Sequence, residues 1–226
     1  GGVPVAVTYC PLCNAAIVFD RRLDGRVLEF GTTGKLRRSD LVMYDRQTES
    51  WWQQFLGQAI VGELLGKTLE VLPARLESFA RFRERAHAAA QTAQVLVPNR
   101  AGMRRYGANP YVGYDSLERP WLYSGAMPAK VAPLSRVVSL ALPGGGRAAW
   151  SFPLLRRQKR IETSHGLIIT WQPGQASALD QAVISNGFDV GNVVVQRRTK
   201  EGLVDVAYGV DFAFAFHAFF PNAPIH

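Results

Sequence analysis

Over the first seventy positions, apolar and β-branched residues come in short runs punctuated by turn formers. Residues 3–9 form one such run, ending at Cys10-Pro-Leu-Cys13, and residues 15–20 resume the pattern. Leu23-Asp-Gly-Arg26 supplies a turn with glycine where φ must be positive, and residues 27–31 return. Residues 41–44 and 50–55 flank Asp45-Arg-Gln-Thr48, a second hairpin, and residues 59–61 and 68–72 bracket Gly62 and Gly66. Spacings this short suit antiparallel hairpins better than βαβ crossovers. Between 74 and 90 the period lengthens: Leu76, Phe79, Phe82, Ala86 and Ala90 fall at three- and four-residue steps. That spacing predicts an amphipathic helix with arginine on its outer face. A short strand over 94–97 follows. Further strands are expected over 136–142, 167–171, 192–197 and 203–208.

Residues 98–129 are rich in Gly, Pro, Asn and Tyr. They read as an ordered loop, because Tyr106, Tyr111, Tyr114, Trp121 and Tyr123 are large rings that seek burial. A weak internal repeat organises the rest. Ala6-Val-Thr-Tyr-Cys-Pro-Leu-Cys-Asn-Ala-Ala16 aligns with Ile168-Ile-Thr-Trp-Gln-Pro-Gly-Gln-Ala-Ser-Ala178, and Phe79-Ala-Arg-Phe82 resembles Phe212-Ala-Phe-Ala-Phe216. In the second copy Gln172 and Gln175 replace the cysteines, so the turn itself needs no thiol. The expected architecture is therefore α+β and β-rich, with antiparallel strands and hairpins in two similar halves, each closed by a helix. Those halves are 1–97 and 130–226, joined by the aromatic loop region 98–129.

Composition narrows the class. The 226 residues are 47% hydrophobic and 19% charged, enough apolar material for a substantial core. Charges interrupt every apolar run well short of the roughly 20 residues a spanning helix needs, so no transmembrane segment is expected. The chain opens on Gly rather than Met, directly into a strand, which suggests a processed or truncated start. The net charge of +8 is concentrated in residues 74–160, where 15 basic residues face 4 acidic ones. Such a middle third could meet an anionic partner. No zinc-finger spacing or aromatic nucleic-acid motif accompanies it, so nucleic acid is disfavoured.

Two cysteines exclude a disulfide framework and a four-thiolate metal site within one chain. Cys10 and Cys13, three positions apart on a turn, leave three readings: a soft-metal site, a thiol-disulfide exchange pair, or a structural bridge. A c-type haem is excluded because Asn14 stands where that attachment needs His, and a thioredoxin-like arrangement is disfavoured because residues 14–20 read as strand, not helix. Nearby in sequence lies a dense polar stretch: Ser39, Asp40, Tyr44, Asp45, Arg46, Trp51 and Gln53 are the candidate ligand-binding residues. Strand alternation predicts Gln53 in the cysteine cleft and Trp52 in the core, with Asp40 or Tyr44 beside Gln53 and Arg46 offering a charge that favours thiolate. His217, within the apolar run 211–220, is a further candidate metal ligand. No nucleophile elbow, phosphate loop, dinucleotide fingerprint or zincin helix is present.

Gly-Gly-Val-Pro-Val-Ala-Val-Thr-Tyr-Cys-Pro-Leu-Cys-Asn, Ser39-Asp-Leu-Val-Met-Tyr-Asp-Arg46 and Ser50-Trp-Trp-Gln53 resemble a bacterial and archaeal family known as domain of unknown function 3179. The resemblance is tightest over 1–73. It implies an extracytoplasmic protein, periplasmic or secreted, since members look like exported proteins. It also implies an upstream segment with an Ala-Tyr-Pro motif and a His-Glu-rich stretch, which this chain does not include, and tryptophan near Phe214 and Phe216. The resemblance implies no activity. The expected function is a small-ligand or metal-ion site at Cys10 and Cys13, with copper the metal a lone thiolate pair fits best. A redox enzyme using Cys10 and Cys13, and a structural or interaction protein with a plain bridge, are the alternatives.

Overall fold

The computed structural model of the protein describes residues 2–88 and 102–226. The predicted strand over 94–97 lies outside them. Among the described residues strand outweighs helix, the strands of every sheet pair antiparallel, and there are three short α-helices.

A hairpin of β1 (Val5–Cys10) and β2 (Ala15–Asp20) opens the fold, with Cys10 opposite Ala15. A small ribbon follows, β3 (Arg22–Leu23) and β4 (Arg26–Val27), turning through Asp24 and Gly25, both at positive φ. Next comes a four-stranded meander: β5 (Phe30–Arg37), β6 (Asp40–Asp45), β7 (Trp51–Gln53) and β8 (Gln58–Val61). Residues 68–72 make isolated bridges rather than the expected strand. Helix α1 (Phe79–Ala88) lies within the predicted helical span, yet of its residues only Ala86 is buried. Its face is shallow, and Phe79 stays exposed.

In the C-terminal part, β9 (Arg136–Ala141) is flanked by β10 (Arg147–Ser151) and by β15 (Gly209–Phe212). Helix α2 (Phe152–Gln158) follows β10 directly, with Pro153 in its first turn, where a missing N–H costs nothing. A second four-stranded sheet runs β11 (Arg160–Glu162), β12 (Leu167–Gln172), β13 (Asn192–Thr199) and β14 (Gly202–Asp205). Helix α3 (Ala213–Phe219) closes the chain with Phe214, Ala215 and Phe216 fully buried.

The two proposed copies share a strand ending before proline, at Cys10 and Gln172. The likeness stops there. β2 pairs straight back on β1, whereas residues 173–183 make only isolated bridges. The solvent-facing α1 and the buried α3 are likewise not equivalent.

Among the described residues, three apolar clusters form the core. One lies under the β5–β8 meander around Phe19, Leu28, Met43 and Trp52. A second lies under β9–β13 around Val138, Leu155, Ile169 and Val195. The third joins them, drawing Cys10, Cys13 and Phe55 from the N-terminal part, Tyr114 from the aromatic loop, and Phe212 to Phe216 from β15 and α3. Of the loop's aromatics, Tyr114 is fully buried, Trp121 is half exposed and Tyr106 projects into solvent. The cysteines sit in the joining core.

Four arginines of the basic middle third are held by partners within the chain. Arg75 pairs with Asp205 at 2.6 Å, Arg85 with Glu77 at 2.6 Å, and Arg136 with Asp115 at 2.9 Å, while Arg156 donates to the Asp189 carbonyl. Arg75 and Arg136 tie loops to sheets, and Arg85 and Arg156 tie loops to helices. No helix among the described residues is long and apolar enough to cross a membrane.

Candidate metal centre at the cysteine turn

Two hairpin turns meet in the joining core. The first is Cys10-Pro-Leu-Cys13, closed by the Cys13 and Asn14 amides donating to the Cys10 and Pro11 carbonyls. Asn14 takes a left-handed φ of 53°, which a short polar side chain tolerates, and its Nδ2 donates to the Val210 carbonyl at 2.9 Å. The Tyr114 hydroxyl donates to the Leu12 carbonyl at 2.9 Å, and the Phe212 amide to the Cys13 carbonyl at 2.8 Å. The turn is thereby fixed by residues from two distant segments, the aromatic loop and β15, and its two thiols face the joining core.

The second turn joins β5 to β6. Arg37 pairs with Asp40, so only Arg38 and Ser39 form the loop, and both are left-handed, with φ of 57° and 67°. Two-residue hairpins of this twist favour Asn-Gly, because a Cβ at positive φ costs on the order of 1 kcal/mol or more per residue. Contacts on every side hold this turn in place. The Arg38 guanidinium donates to the Ala218 carbonyl and stacks over Phe219, and the Ser39 hydroxyl donates to the Trp121 carbonyl at 2.8 Å. Its effect is to aim the Ser39 carbonyl at the cysteines. Cys13 Sγ approaches that oxygen to 3.5 Å and Cys10 Sγ to 3.8 Å.

Asp40 follows immediately. One carboxylate oxygen of Asp40 and the sulfurs of Cys10 and Cys13 lie within 4.8 Å of one another, the two cysteines being 4.0 Å apart. Both thiols are free. The cysteines are near enough to bind one metal ion at ordinary bond lengths of about 2.0–2.3 Å. Asp40 Oδ2 accepts from Gln53 Nε2 at 2.5 Å and from the Phe55 amide at 2.9 Å, and Arg37 steadies the Gln53 amide from 3.2 Å. Asp40 Oδ1, equally buried, has no hydrogen-bond partner. Burial pushes the Asp40 carboxyl up to about 6, against the opposing pull of the Phe55 and Gln53 donors and of the two thiols that face it beyond hydrogen-bond distance. Burial also drives the Cys13 thiol well above its ordinary range, and Cys10 and Asp40 add to the rise.

A second carboxylic acid lies behind the site. Asp211, on β15 between two residues that bond the cysteine turn, is fully buried, with Ser139 Oγ donating at 2.5 Å. Desolvation raises its carboxyl to about 7, and Asp40 contributes. Sequence reading passed over Asp211 and Tyr114. Asp211 carried a usable signal, a lone acid inside an otherwise apolar run. Tyr114 carried none beyond its size.

The structure divides the remaining candidates. Ser39, Asp40 and Gln53 converge on the cysteines, and Trp52 is fully buried. Tyr44, Asp45, Arg46 and Trp51 do not converge there, because Asp45 stands five residues along β6 from Asp40, about 17 Å at strand rise. Asp45 caps its own hairpin instead: Thr48 and the Trp52 indole at 2.9 Å saturate it. Arg46 lies over the Tyr44 ring and Trp51 under Lys35, both remote from the thiols. His217 is on α3 beside Arg38 and Tyr123, outside the converging group.

Fold and site together define a β-rich α+β protein with two thiols and a half-satisfied carboxylate buried where its cores meet. The chain belongs to the family described as protein of unknown function, DUF3179, which matches residues 1–223. No curated protein and no solved structure matches it significantly.

Proposed function

We propose that this protein holds a thiophilic metal ion between Cys10, Cys13 and Asp40, copper(I) being the best fit. The observation that carries this reading is Asp40 Oδ1, a buried carboxylate oxygen without a partner beside two free thiols. An unmade bond at a buried charged group costs on the order of 1–3 kcal/mol or more, and a cation would supply it. Thiolates select Cu(I), which two of them can fill, while Zn(II) demands four ligands and would need Asp40 and a further oxygen such as the Ser39 carbonyl. Binding releases the two thiol protons to solvent. Thiol-disulfide exchange fits less well. The attacking group must be an accessible thiolate, and Cys13 is buried with its thiol pushed upward. The extracytoplasmic location implied by the family resemblance accompanies the proposal.

Titration of the full chain with Cu(I) against a competing chelator, and separately with Zn(II), is the test. One equivalent of Cu(I) is expected to bind, the Cys10→Ser, Cys13→Ser double variant to lose it, and Asp40→Asn to weaken Zn(II) more than Cu(I). Stoichiometric binding that survives in the double variant sinks the idea, as does no binding at all.

A further inference from the structure

A sheet edge presents a row of unpaired amides and carbonyls, and proteins cover such rows, charge them or bend them to keep other strands away. Among the described residues, the other edges follow that rule. The chain's end covers β10, whose Ala149 and Ser151 amides donate to the Pro224 and His226 carbonyls. Residues 66–72 cover β8 and the outer side of β2, and the cysteine turn covers β15. Strand β5 carries Lys35 and Arg37 beside a register shift, and β11 carries Arg160 and Glu162. Strand β14 ends on Asp205, which pairs with Arg75.

Strand β1 has none of these devices. Residues 1–9 hold no charge, and the pairing with β2 runs through without a shift. The bonding pattern fixes which groups face out. The Arg21 amide donates to the Pro4 carbonyl, whereas the Asp20 amide and the Val18 carbonyl are spent on Glu70 and Leu72 at the far side of β2. Antiparallel bonding alternates along a strand, so Ala6, Thr8 and Cys10 bond β2. The amides and carbonyls of Val5, Val7 and Tyr9 point the other way, and no described residue bonds them. Their side chains share one face and are exposed, Val7 by 77%.

We infer that β1 is a docking edge for a second copy of this chain, the two strands pairing antiparallel about a two-fold axis at Val7. Such an array is met by another strand, and an antiparallel edge is its own complement. Val7 then stands opposite Val7 and Val5 opposite Tyr9, each pair exchanging two backbone bonds. Opposed side chains lie on one face, so the two exposed rows merge, with valine against tyrosine in a favoured cross-strand pair. Identical chains of net charge +8 repel, and residues 1–9 let them approach with no like charges opposed. Strand contact alone falls short of the roughly 1,200 Å² at which stable complexes begin, so the dimer forms at high concentration and exchanges freely. It leaves the two cysteine turns at opposite ends of the joint sheet, about 20 Å apart along the strands.

Sedimentation equilibrium of the full chain from roughly 5 to 500 μM tests it. The parent should pass from monomer to dimer and no further, with amide exchange at Val5, Val7 and Tyr9 slowing as it does. Val7→Lys and Val7→Asp, both at an exposed position, should each associate at least ten-fold more weakly, with the melting temperature of the monomer unchanged. An equimolar mixture of the two should recover the dimer, because the axis sets the substituted positions face to face. A parent that stays monomeric throughout overturns the proposal and leaves the edge to another protein's strand. Association that both variants retain, or that their mixture fails to restore, overturns it as well.

Discussion

At the scale of single residues, the informative feature is the buried carboxylate with one saturated oxygen and one empty one, at Asp40. For Asp40 the consequence is a proton linkage. Its folded carboxyl titrates near 6 against an unfolded value near 4, so the folded state holds the proton more tightly. The associated stability is present below pH about 4 and lost as pH rises through 6, a swing on the order of 3 kcal/mol for a two-unit shift. Asp40→Asn should flatten that part of the curve, raising metal-free stability at pH 7 relative to the parent, as urea titrations at pH 4, 5, 6 and 7 would show. A variant with the parent's full pH dependence would mean that Asp40 is ionised throughout. The thiol pair and the polar stretch that holds Asp40 were legible in the sequence. Which end of that stretch faces the thiols was not, because alternation assigns a face of a strand and says nothing about position along it. Tyr114 and Asp211 could not be read as neighbours of Cys13 either, since about 100 and 200 positions of chain separate them.

Among elements, β6 carries two buried aspartates with opposite duties. Asp40 at its start keeps one oxygen without a hydrogen-bond partner, while Asp45 at its end is saturated by its own hairpin and by Trp52. Trp52→Phe should therefore cost on the order of 2 kcal/mol in chemical unfolding, from the lost indole bond and lost volume, while metal affinity stays within two-fold. A larger change in affinity would join the two ends of the strand into one network. Elements with clean alternation or a firm turn were predictable: β2 coincides with its predicted span, and β1, β6, β12 and β13 fall close to theirs. Strand β5 hid behind Gly34-Lys-Leu-Arg37, an edge run whose side chains mostly face water. Helix α2 hid behind Pro153, a residue that breaks helices anywhere but the first turn. The Arg38-Ser39 turn lacks the Asn-Gly signature altogether, and contacts with α3 and Trp121 impose its shape.

On the scale of the whole molecule, the site lies where separate segments are stitched into one core, so occupancy and global stability are linked. A ligand that binds only the folded chain at 100 times its Kd adds about 2.7 kcal/mol. One equivalent of Cu(I) should raise the melting temperature of the parent by several degrees and leave the double cysteine variant where it was, in scans run with and without the ion. Tyr114→Phe tests the stitching directly. Losing its bond to Leu12 should cost about 1 kcal/mol and loosen the cysteine turn, read as faster amide exchange at Cys13 and Asn14.

The near-complete enclosure of the three donor residues also governs time. Cys10, Cys13 and Asp40 are at most 2% exposed, so an ion cannot reach them by diffusion alone. For the ion proposed above, passage in either direction would wait on a transient parting of the two turns, opposed by the contacts around Arg38, Ser39 and Tyr114. Loading rates should then climb with ion concentration only until that opening becomes the bottleneck, and flatten beyond it. Departure would be slow even for an ion of modest affinity. Such kinetics suit a custodian that keeps one ion for long periods, and are ill matched to a shuttle that must hand its cargo on quickly.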